Sequence, residues 1–285
     1  MFDKSENEII KTFTDWAEKE DNIRAIVLTS SRVNPNSKPD KLSDYDIEVF
    51  VNDLKPFNSD EWLGNFGTTL VKWPLYPKNT GYQENSITRL VVFSDFPRVD
   101  FQISIIQNFD PHAYENGYKI IVDKDNIQNK IPEPTYAEFV VTKPTEKEFY
   151  ETIDGFYWDL PYIAKSLKRG EIAFARYMLL SAIRYDSFEQ MLRWYAGFQN
   201  NWSVNYGVHG RNLEKLLDES TAAEINSICS GNNLNDIWQS TLKMEKLFSN
   251  MQTKLSKDLC YQEIPVNIQE FLDYCQRILN LTLEK

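Results

Sequence analysis

The sequence predicts an α+β fold with two domains, a mixed sheet over residues 1–140 followed by a helical bundle over residues 141–285. Three observations support this prediction. The chain has 285 residues, a length that suits about two domains. Short β-branched or alternating segments, typical of strands, occur before residue 140. After that position the apolar residues recur at helical spacing and strand patterns are sparse.

The N-terminal segments indicate one early helix and several strands. Residues 5–20 place apolar side chains at helical spacing among acids and lysines. Residues 23–29 form a short β-branched run, consistent with a buried strand. Residues 44–51 alternate polar and apolar side chains, the period of a half-exposed strand. We expect two further strands over residues 87–94 and 99–106.

Turn-forming residues separate these segments. Residues 30–42 contain two turn-forming segments, Asn34-Pro35-Asn36 and Lys38-Pro39-Asp40, and are expected to form a loop. Residues 95–98 are a plausible hairpin turn between the last two strands. Ser59, which precedes two acidic residues, is expected to be the N-cap of a helix.

The C-terminal half is predicted to be helical almost throughout. Thr145 and Glu148 form the pattern of a capping box, in which each side chain satisfies the backbone amide of the other residue. Helical periodicity then covers residues 146–168, 170–197, 210–229, 233–256 and 265–283.

The charge balance excludes one class of partner. Lysine and arginine number 31, aspartate and glutamate number 42, and the formal net charge is −11. Such a chain repels a phosphate backbone, so we expect no nucleic-acid binding. The excess of carboxylates either keeps the protein soluble or suits a cationic small-molecule partner, and the net charge alone does not distinguish these two interpretations.

Other composition features exclude further classes. The chain has three cysteines and two histidines without metal-binding spacing, so we expect neither a structural zinc site nor a disulfide framework. The sequence contains no apolar run long enough for a membrane span, and its start lacks the features of a secretory signal. We therefore expect a cytoplasmic protein that does not associate with membranes. Its oligomeric state is left open.

Three aspartates are the candidates for chemistry. Asp44 and Asp46 stand two residues apart on a predicted strand and therefore point to the same face. Asp100 lies between apolar neighbours in another predicted strand. If the two strands are adjacent, three carboxylates converge on one spot, and hard oxygen ligands of this kind are what Mg²⁺ prefers. Such a triad can hold two Mg²⁺ ions for phosphoryl or nucleotidyl transfer.

A simpler interpretation of these carboxylates also exists. An Asp-x-Asp pair on a strand is commonly a solvated face, and Asp100 could point to solvent for the same reason. Glu48 shares the face of Asp44 and Asp46. It is either a further ligand or the outer end of an exposed face.

The order of these residues resembles the DNA polymerase β-type nucleotidyltransferases. That superfamily has a Gly-Ser turn after a strand, then an Asp-x-Asp strand, then a third aspartate on a later strand. In this chain the turn is Ser30-Ser31, the paired aspartates are Asp44 and Asp46, and the third is Asp100. The N-terminal domain is therefore expected to have the polymerase β-like fold.

More specifically, the chain is similar to the aminoglycoside 6-adenylyltransferases, or streptomycin adenylyltransferases. The main matches are the blocks SRVNPN at residues 31–36 and DKLSDYDI at residues 40–47. Further matches follow in order up to about residue 215: residues 62–66, Asp95, Arg98, residues 143–145, 148–149, Tyr162, Lys165, residues 171–175 and Trp194.

The resemblance implies both a reaction and its metal ligands. ATP would bind with two Mg²⁺ ions, and AMP would be transferred to a hydroxyl group of a cationic aminoglycoside such as streptomycin, which is a route to antibiotic resistance. Asp44, Asp46 and Asp100 would be the metal ligands and catalytic residues. Residues 1–140 would form the nucleotidyltransferase domain and residues 141–285 the helical, acceptor-binding domain.

The resemblance also implies a set of nucleotide-binding residues. Ser30 and Ser31 occupy the turn that approaches the triphosphate, and Ser31 would donate a hydrogen bond to a phosphate oxygen. Arg32 or Lys165 would offset the charge that develops on the phosphates, although Lys165 could equally be a solvated lysine on a helix.

Several departures from the family pattern leave alternatives open. Ser30 replaces the glycine of the turn, which normally lets the backbone approach a phosphate closely. Gly155 stands where the family has an acidic residue, and Asp154 or Asp159 could replace that carboxylate. The change in the helical half favours a second hypothesis, a nucleotidyltransferase with another acceptor, either another antibiotic or a protein. A third hypothesis, which Ser30 favours, is a nucleotide-binding protein without turnover.

Overall fold

The computed structural model describes residues 4–75, 82–83, 86–228, 231, 233–262 and 267–283. The chain divides into two compact units, Met1–Glu138 and Phe139–Lys285. The first unit contains a mixed sheet and the second is helical, so the predicted α+β fold is confirmed. Within the described residues, no helix combines the length and apolar character that a bilayer span requires.

The first unit is built around a seven-stranded sheet with the order β3-β5-β6-β2-β1-β7, in which β4 pairs with β5. Its centre is the parallel pair β2 and β6, and every other neighbouring pair is antiparallel. The strands are β1 Ile23–Thr29, β2 Tyr45–Val51, β3 Thr69–Trp73, β4 Tyr82–Gln83, β5 Ser86–Phe93, β6 Val99–Ile105 and β7 Lys119–Asp123.

One face of this sheet is covered by helix α1, Glu6–Lys19. The helix begins at a capping box in which Ser5 and Glu8 satisfy each other's backbone amides. Its side chain Phe13 packs with Tyr45 and Phe101 of the sheet in the larger core of the unit. Because side chains alternate along a strand, the residues next to Tyr45 and Phe101 project from the opposite face.

The sequence predicted the central strands of this unit but not its edges. Strands β3 and β7 lie at the two edges of the sheet and were not predicted. The prediction that Ser59 caps a helix is wrong, because a short 3₁₀ helix follows Asp60 instead and has no side-chain cap. The carboxylate of Asp60 is engaged by Lys72 and by the buried Arg89.

Besides a short 3₁₀ turn at Val208–Gly210, the described residues of the second unit form eight helical elements around one apolar core. They are α2 Glu146–Arg169, α3 Ile172–Tyr177, α4 Glu189–Gln199, α5 Leu213–Leu216, α6 Glu219–Ser227, α7 Leu234–Leu259 and α8 Ile268–Asn280, with a π-helical segment, Met178–Phe188, between α3 and α4.

Helix α2 begins as predicted. Thr145 Oγ1 accepts a hydrogen bond from the Glu148 amide at 3.3 Å, and Glu148 Oε2 accepts one from the Thr145 amide at 2.8 Å. The helix predicted over residues 170–197 is present, but its middle is π-helical.

The single helix predicted over residues 210–229 is wrong, and residue 229 lies outside the described residues. Leu217 is extended between α5 and α6. Asp218 then caps α6 by accepting a hydrogen bond from the Thr221 amide, so a new helix begins there.

Candidate active site

The parallel pairing of β2 with β6 brings two of the predicted aspartates together. Asp46 and Asp100 are direct partners in the register of these strands. The residues on either side of each aspartate lie in the core that α1 covers: Tyr45 and Ile47, and Val99 and Phe101. Because side chains alternate along a strand, both carboxylates project from the opposite face of the sheet. Neighbouring strands lie about 4.8 Å apart, which places the two carboxylates within reach of one ligand.

Arg98 connects the third aspartate to this pair. Its Nε and Nη2 atoms donate to Oδ1 and Oδ2 of Asp100, each at 2.9 Å. Its Nη1 atom lies 3.5 Å from Oδ2 of Asp44. The guanidinium therefore bridges Asp44 and Asp100 on one side of the site.

The pKa of the Asp46 carboxyl is raised above its ordinary value. Burial raises the pKa of its carboxyl, and the nearby charge of Asp100 raises it further. A hydrogen bond with the Ser30 side chain and the positive charge of Arg98 act in the opposite direction. The site therefore concentrates negative charge in a poorly solvated place, where a cation would be stabilised.

The turn predicted to face the nucleotide lies beside Asp46. Thr29, the last residue of β1, is the register partner of Asp46, and Ser30, Ser31 and Arg32 follow as one 3₁₀ turn. Ser30 has a φ of 62°, the left-handed conformation that glycine adopts most readily. The backbone shape expected of the family's glycine is therefore kept by a serine.

Arg32 has most of its donors occupied by the chain itself. Its Nε donates to the carbonyl oxygen of Asp44 at 3.0 Å, and its Nη2 donates to those of Asp40 and Ser43 at 3.1 and 2.6 Å. Its guanidinium carbon lies 3.8 Å from the centroid of the Tyr45 ring. Arg32 thus holds the loop that leads into Asp44, and the contact with phosphate stays a prediction.

Glu48 lies deeper on the same face of the sheet. Its carboxylate accepts a hydrogen bond of 2.6 Å from the hydroxyl of Tyr114, a buried residue. Burial raises the pKa of Glu48. Neither sequence interpretation, a further ligand or the end of an exposed face, anticipated this contact.

Lys165 belongs to the second unit. It lies on α2, where its ammonium is 5.1 Å from the centroid of the Tyr162 ring. Its role as a phosphate contact stays a prediction. Asp154 and Asp159, which could replace a lost acidic residue, also lie on α2.

The residues present suit a divalent cation by their chemistry. Asp44, Asp46 and Asp100 offer only oxygen donors, the type that Mg²⁺ selects. Burial, and after it the nearby charge of Asp100, raises the pKa of the Asp46 carboxyl, and a bound cation would favour its charged form. Across the described part of the chain, no three acidic, histidine or cysteine side chains are arranged to share one ion as they stand. Both oxygens of Asp100 are instead bonded to Arg98.

Comparison with known proteins gives the family of the chain. The family model for streptomycin adenylyltransferase matches residues 3–278, nearly the whole sequence. The chain belongs to the streptomycin adenylyltransferase family.

Individual members of the streptomycin adenylyltransferase family are similar over comparable lengths. The aminoglycoside 6-adenylyltransferase of Bacillus subtilis (strain 168) is 28% identical, with 91% of this chain and 93% of that protein covered. The aminoglycoside 6-adenylyltransferase of Staphylococcus aureus is also 28% identical, with 94% and 98% covered. A crystal structure of an aminoglycoside 6-adenyltransferase from Bacillus subtilis covers 96% of this chain and 98% of its own at 25% identity, with a TM-score of 0.47.

The sequence alone assigned no role to two residues of this site. Arg98 was only a match to the family pattern, yet its position two residues before Asp100, at the end of the turn that leads into β6, is a signal that could have been used. Tyr114 comes from a 3₁₀ helix, Pro111–Tyr114, that no periodicity indicated.

Proposed function

We propose that this chain transfers AMP from ATP to a hydroxyl group of an aminoglycoside such as streptomycin and releases pyrophosphate. The observation that carries the proposal is the register pairing of Asp46 with Asp100 beside the turn that begins at Ser30. Membership of the streptomycin adenylyltransferase family supports the same reaction.

The three aspartates would divide the work between metal binding and proton transfer. Asp44 and Asp46 would hold one Mg²⁺ ion and Asp100 a second, and when bound these ions would supply the positive charge that offsets the triphosphate. Asp100 would also take the proton of the acceptor hydroxyl. The hydroxyl oxygen forms a bond to the α-phosphorus while the bond from that phosphorus to pyrophosphate breaks.

The remaining residues would position the two substrates. Ser31 would donate a hydrogen bond to a phosphate oxygen, and Arg32 would keep the loop before Asp44 in place through its three carbonyl contacts. Lys165 would contact a phosphate, as the family resemblance implies. Residues 1–140 would act as the nucleotidyltransferase domain and residues 141–285 as the acceptor-binding domain.

The choice of an aminoglycoside acceptor rests on the relatives and agrees with the charge. Both relatives described above are named aminoglycoside 6-adenylyltransferases. The chain carries a net charge of −11, and a negative surface potential attracts a polycationic ligand.

The test is pyrophosphate release from Mg·ATP with a panel of aminoglycosides that includes streptomycin. We expect release that requires an aminoglycoside and falls at least about 100-fold in Asp46→Asn, since removing one group that stabilises transition-state charge typically has such an effect. Asp53→Asn is the matched control, because Asp53 is exposed just beyond the other end of β2. This control should release pyrophosphate at the wild-type rate.

Two other results would change the proposal. Normal binding of Mg·ATP without release for any aminoglycoside would indicate another acceptor. Equal binding of Mg·ATP to the wild type and to Asp46→Asn would show that the metal assignment is wrong.

A further inference from the structure

Arg98 is the cation that the structure places among the catalytic carboxylates. It makes a two-bond contact with Asp100 and lies 3.5 Å from Asp44. Arginine–carboxylate pairs with two parallel hydrogen bonds are among the stronger polar contacts in proteins. In this arrangement the guanidinium takes one lone pair on each carboxylate oxygen of Asp100 and places a positive charge that competes with a metal ion.

Arg98 lies at the exposed edge of the site. Its side chain is 43% exposed, and among the described residues its hydrogen-bond and ion-pair partners are Asp100 and Asp44. Asp46 has a hydrogen bond with the Ser30 side chain, and the charge of Arg98 lowers its pKa without a direct contact. The arginine therefore contacts Asp44 and Asp100 directly and acts on Asp46 only through its charge.

We propose that Arg98 exchanges partners during the nucleotide cycle: it holds Asp44 and Asp100 when no cation is bound, and it donates to a phosphate group when Mg·ATP is bound. The planar fork of a guanidinium suits a phosphate as well as a carboxylate, so the same donors serve both states. This inference rests on the proposed function, because it assumes that the site takes a divalent cation and a nucleotide.

The exchange has an unusual consequence that can be measured. Removing the charge of Arg98 should strengthen the binding of a free divalent cation, because a competing positive charge and its hydrogen bonds to Asp100 are gone. The same change should weaken the binding of the metal–nucleotide complex, because a phosphate contact is lost. A purely structural role would weaken both equilibria, and a bystander would alter neither.

The experiment measures two dissociation constants on the full chain, that of Mn²⁺ alone by electron paramagnetic resonance and that of Mg·ATP without acceptor by calorimetry. For Arg98→Gln we expect Mn²⁺ to bind about tenfold more tightly and Mg·ATP about tenfold more weakly, since a hydrogen bond to a charged group changes a constant by roughly this factor. Arg98→Lys keeps the positive charge, so its Mn²⁺ constant should stay within about threefold of the wild type.

Arg24→Gln is the matched control. Arg24 forms a comparable two-bond pair with Asp125 elsewhere in the same unit, so this variant removes an equal charge away from the site and should leave both constants unchanged. Thermal unfolding of each variant checks that the fold is retained.

The outcomes separate this inference from the proposed function. An unchanged or weakened Mn²⁺ constant in Arg98→Gln, with normal binding to the wild type, overturns the inference and leaves the proposed function standing. Tighter Mn²⁺ binding with an unchanged Mg·ATP constant overturns the phosphate contact. A wild type that binds neither Mn²⁺ nor Mg·ATP would overturn the proposed function, and the inference would fall with it.

Discussion

Ser30 combines an unfavourable backbone conformation with a useful side chain. Its φ of 62° lies in the left-handed region, which costs a residue with a Cβ atom roughly 1–2 kcal/mol relative to the right-handed form. In return its hydroxyl group bonds the carboxylate of Asp46. The turn thus accepts local strain next to a carboxylate of the candidate site, and functional sites are places where such strain is often found in proteins.

A branched side chain at this position should destabilise the first unit. Ser30→Val places a second heavy atom on Cβ in the left-handed region, so we expect a loss of about 1–3 kcal/mol in the free energy of unfolding. Ser30→Gly keeps the backbone shape and should stay within about 1 kcal/mol of the wild type. Urea unfolding followed by fluorescence measures both. Equal losses in the two variants would mean that the left-handed turn does not determine the stability here.

Two arginines show how far residue types alone can be interpreted. Arg32 was predicted as a phosphate contact from its place after the turn, whereas the structure engages it with backbone carbonyls of the following loop. Arg98 received no predicted role, yet it contacts Asp100 directly. Because both side chains are long, their partners depend on the loop and strand register around them, which a single sequence does not reveal.

At the scale of elements, the parts predicted correctly have a clear period or a continuous β-branched run. Helix α1 and strands β2 and β6 each have one face in the larger core of the first unit, so their apolar spacing reflects their structure. Strand β1 is buried on both faces, which its β-branched run indicates. Strand β3 has the opposite character, since Leu70, Val71 and Trp73 are more than half exposed. Exposed apolar residues on an edge strand follow no burial pattern, so this element could not be predicted.

The parallel pairing of β2 with β6 is the element-level fact on which the site depends. The sequence predicted both strands and stated the condition that they be adjacent, but pairing between distant segments leaves no local signature. The π-helical segment was missed for a related reason, because helical spacing of apolar residues does not distinguish an α-helix from a π-helix over eleven residues.

A buried glutamate between two helices should make the stability of the second unit depend on pH. Glu245 on α7 is 3% exposed and lies 3.5 Å from the hydroxyl of Tyr157 on α2. Burial raises its pKa from 4.5 to about 7. Between these two values the folded state binds more protons than the unfolded state, so the contribution of Glu245 to stability falls as the pH rises through this window and is level above it.

Glu245→Gln removes this titration while it keeps the shape of the side chain. Relative to the wild type, we expect the variant to gain stability steadily from about pH 4.5 to pH 7, by on the order of 2 kcal/mol in total. Thermal unfolding of both proteins across this range measures the difference. The exposed Glu214→Gln serves as control. A difference that is the same at every pH would show that Glu245 does not titrate in this window.

At the scale of the whole molecule, each of the two units has its own apolar core. The candidate metal ligands all come from the first unit. One departure from the family pattern, Ser30, also lies there, whereas Gly155, which stands where the family has an acidic residue, lies in the second unit. The net charge of −11 belongs to the chain as a whole and acts on any charged substrate.

This net charge predicts opposite salt effects on the two substrates. A polycationic aminoglycoside is attracted by the negative protein over distances that salt screens, since the Debye length falls from about 10 Å at 0.1 M to about 3 Å at 1 M. The KM for streptomycin should therefore rise several-fold between about 0.05 and 0.5 M KCl. Mg·ATP keeps a net negative charge and is repelled at long range, so its KM should stay level or fall. Steady-state kinetics with each substrate varied in turn measures both KM values. Equal increases of both would mean that salt acts on the fold or on the metal rather than through the net charge of the protein.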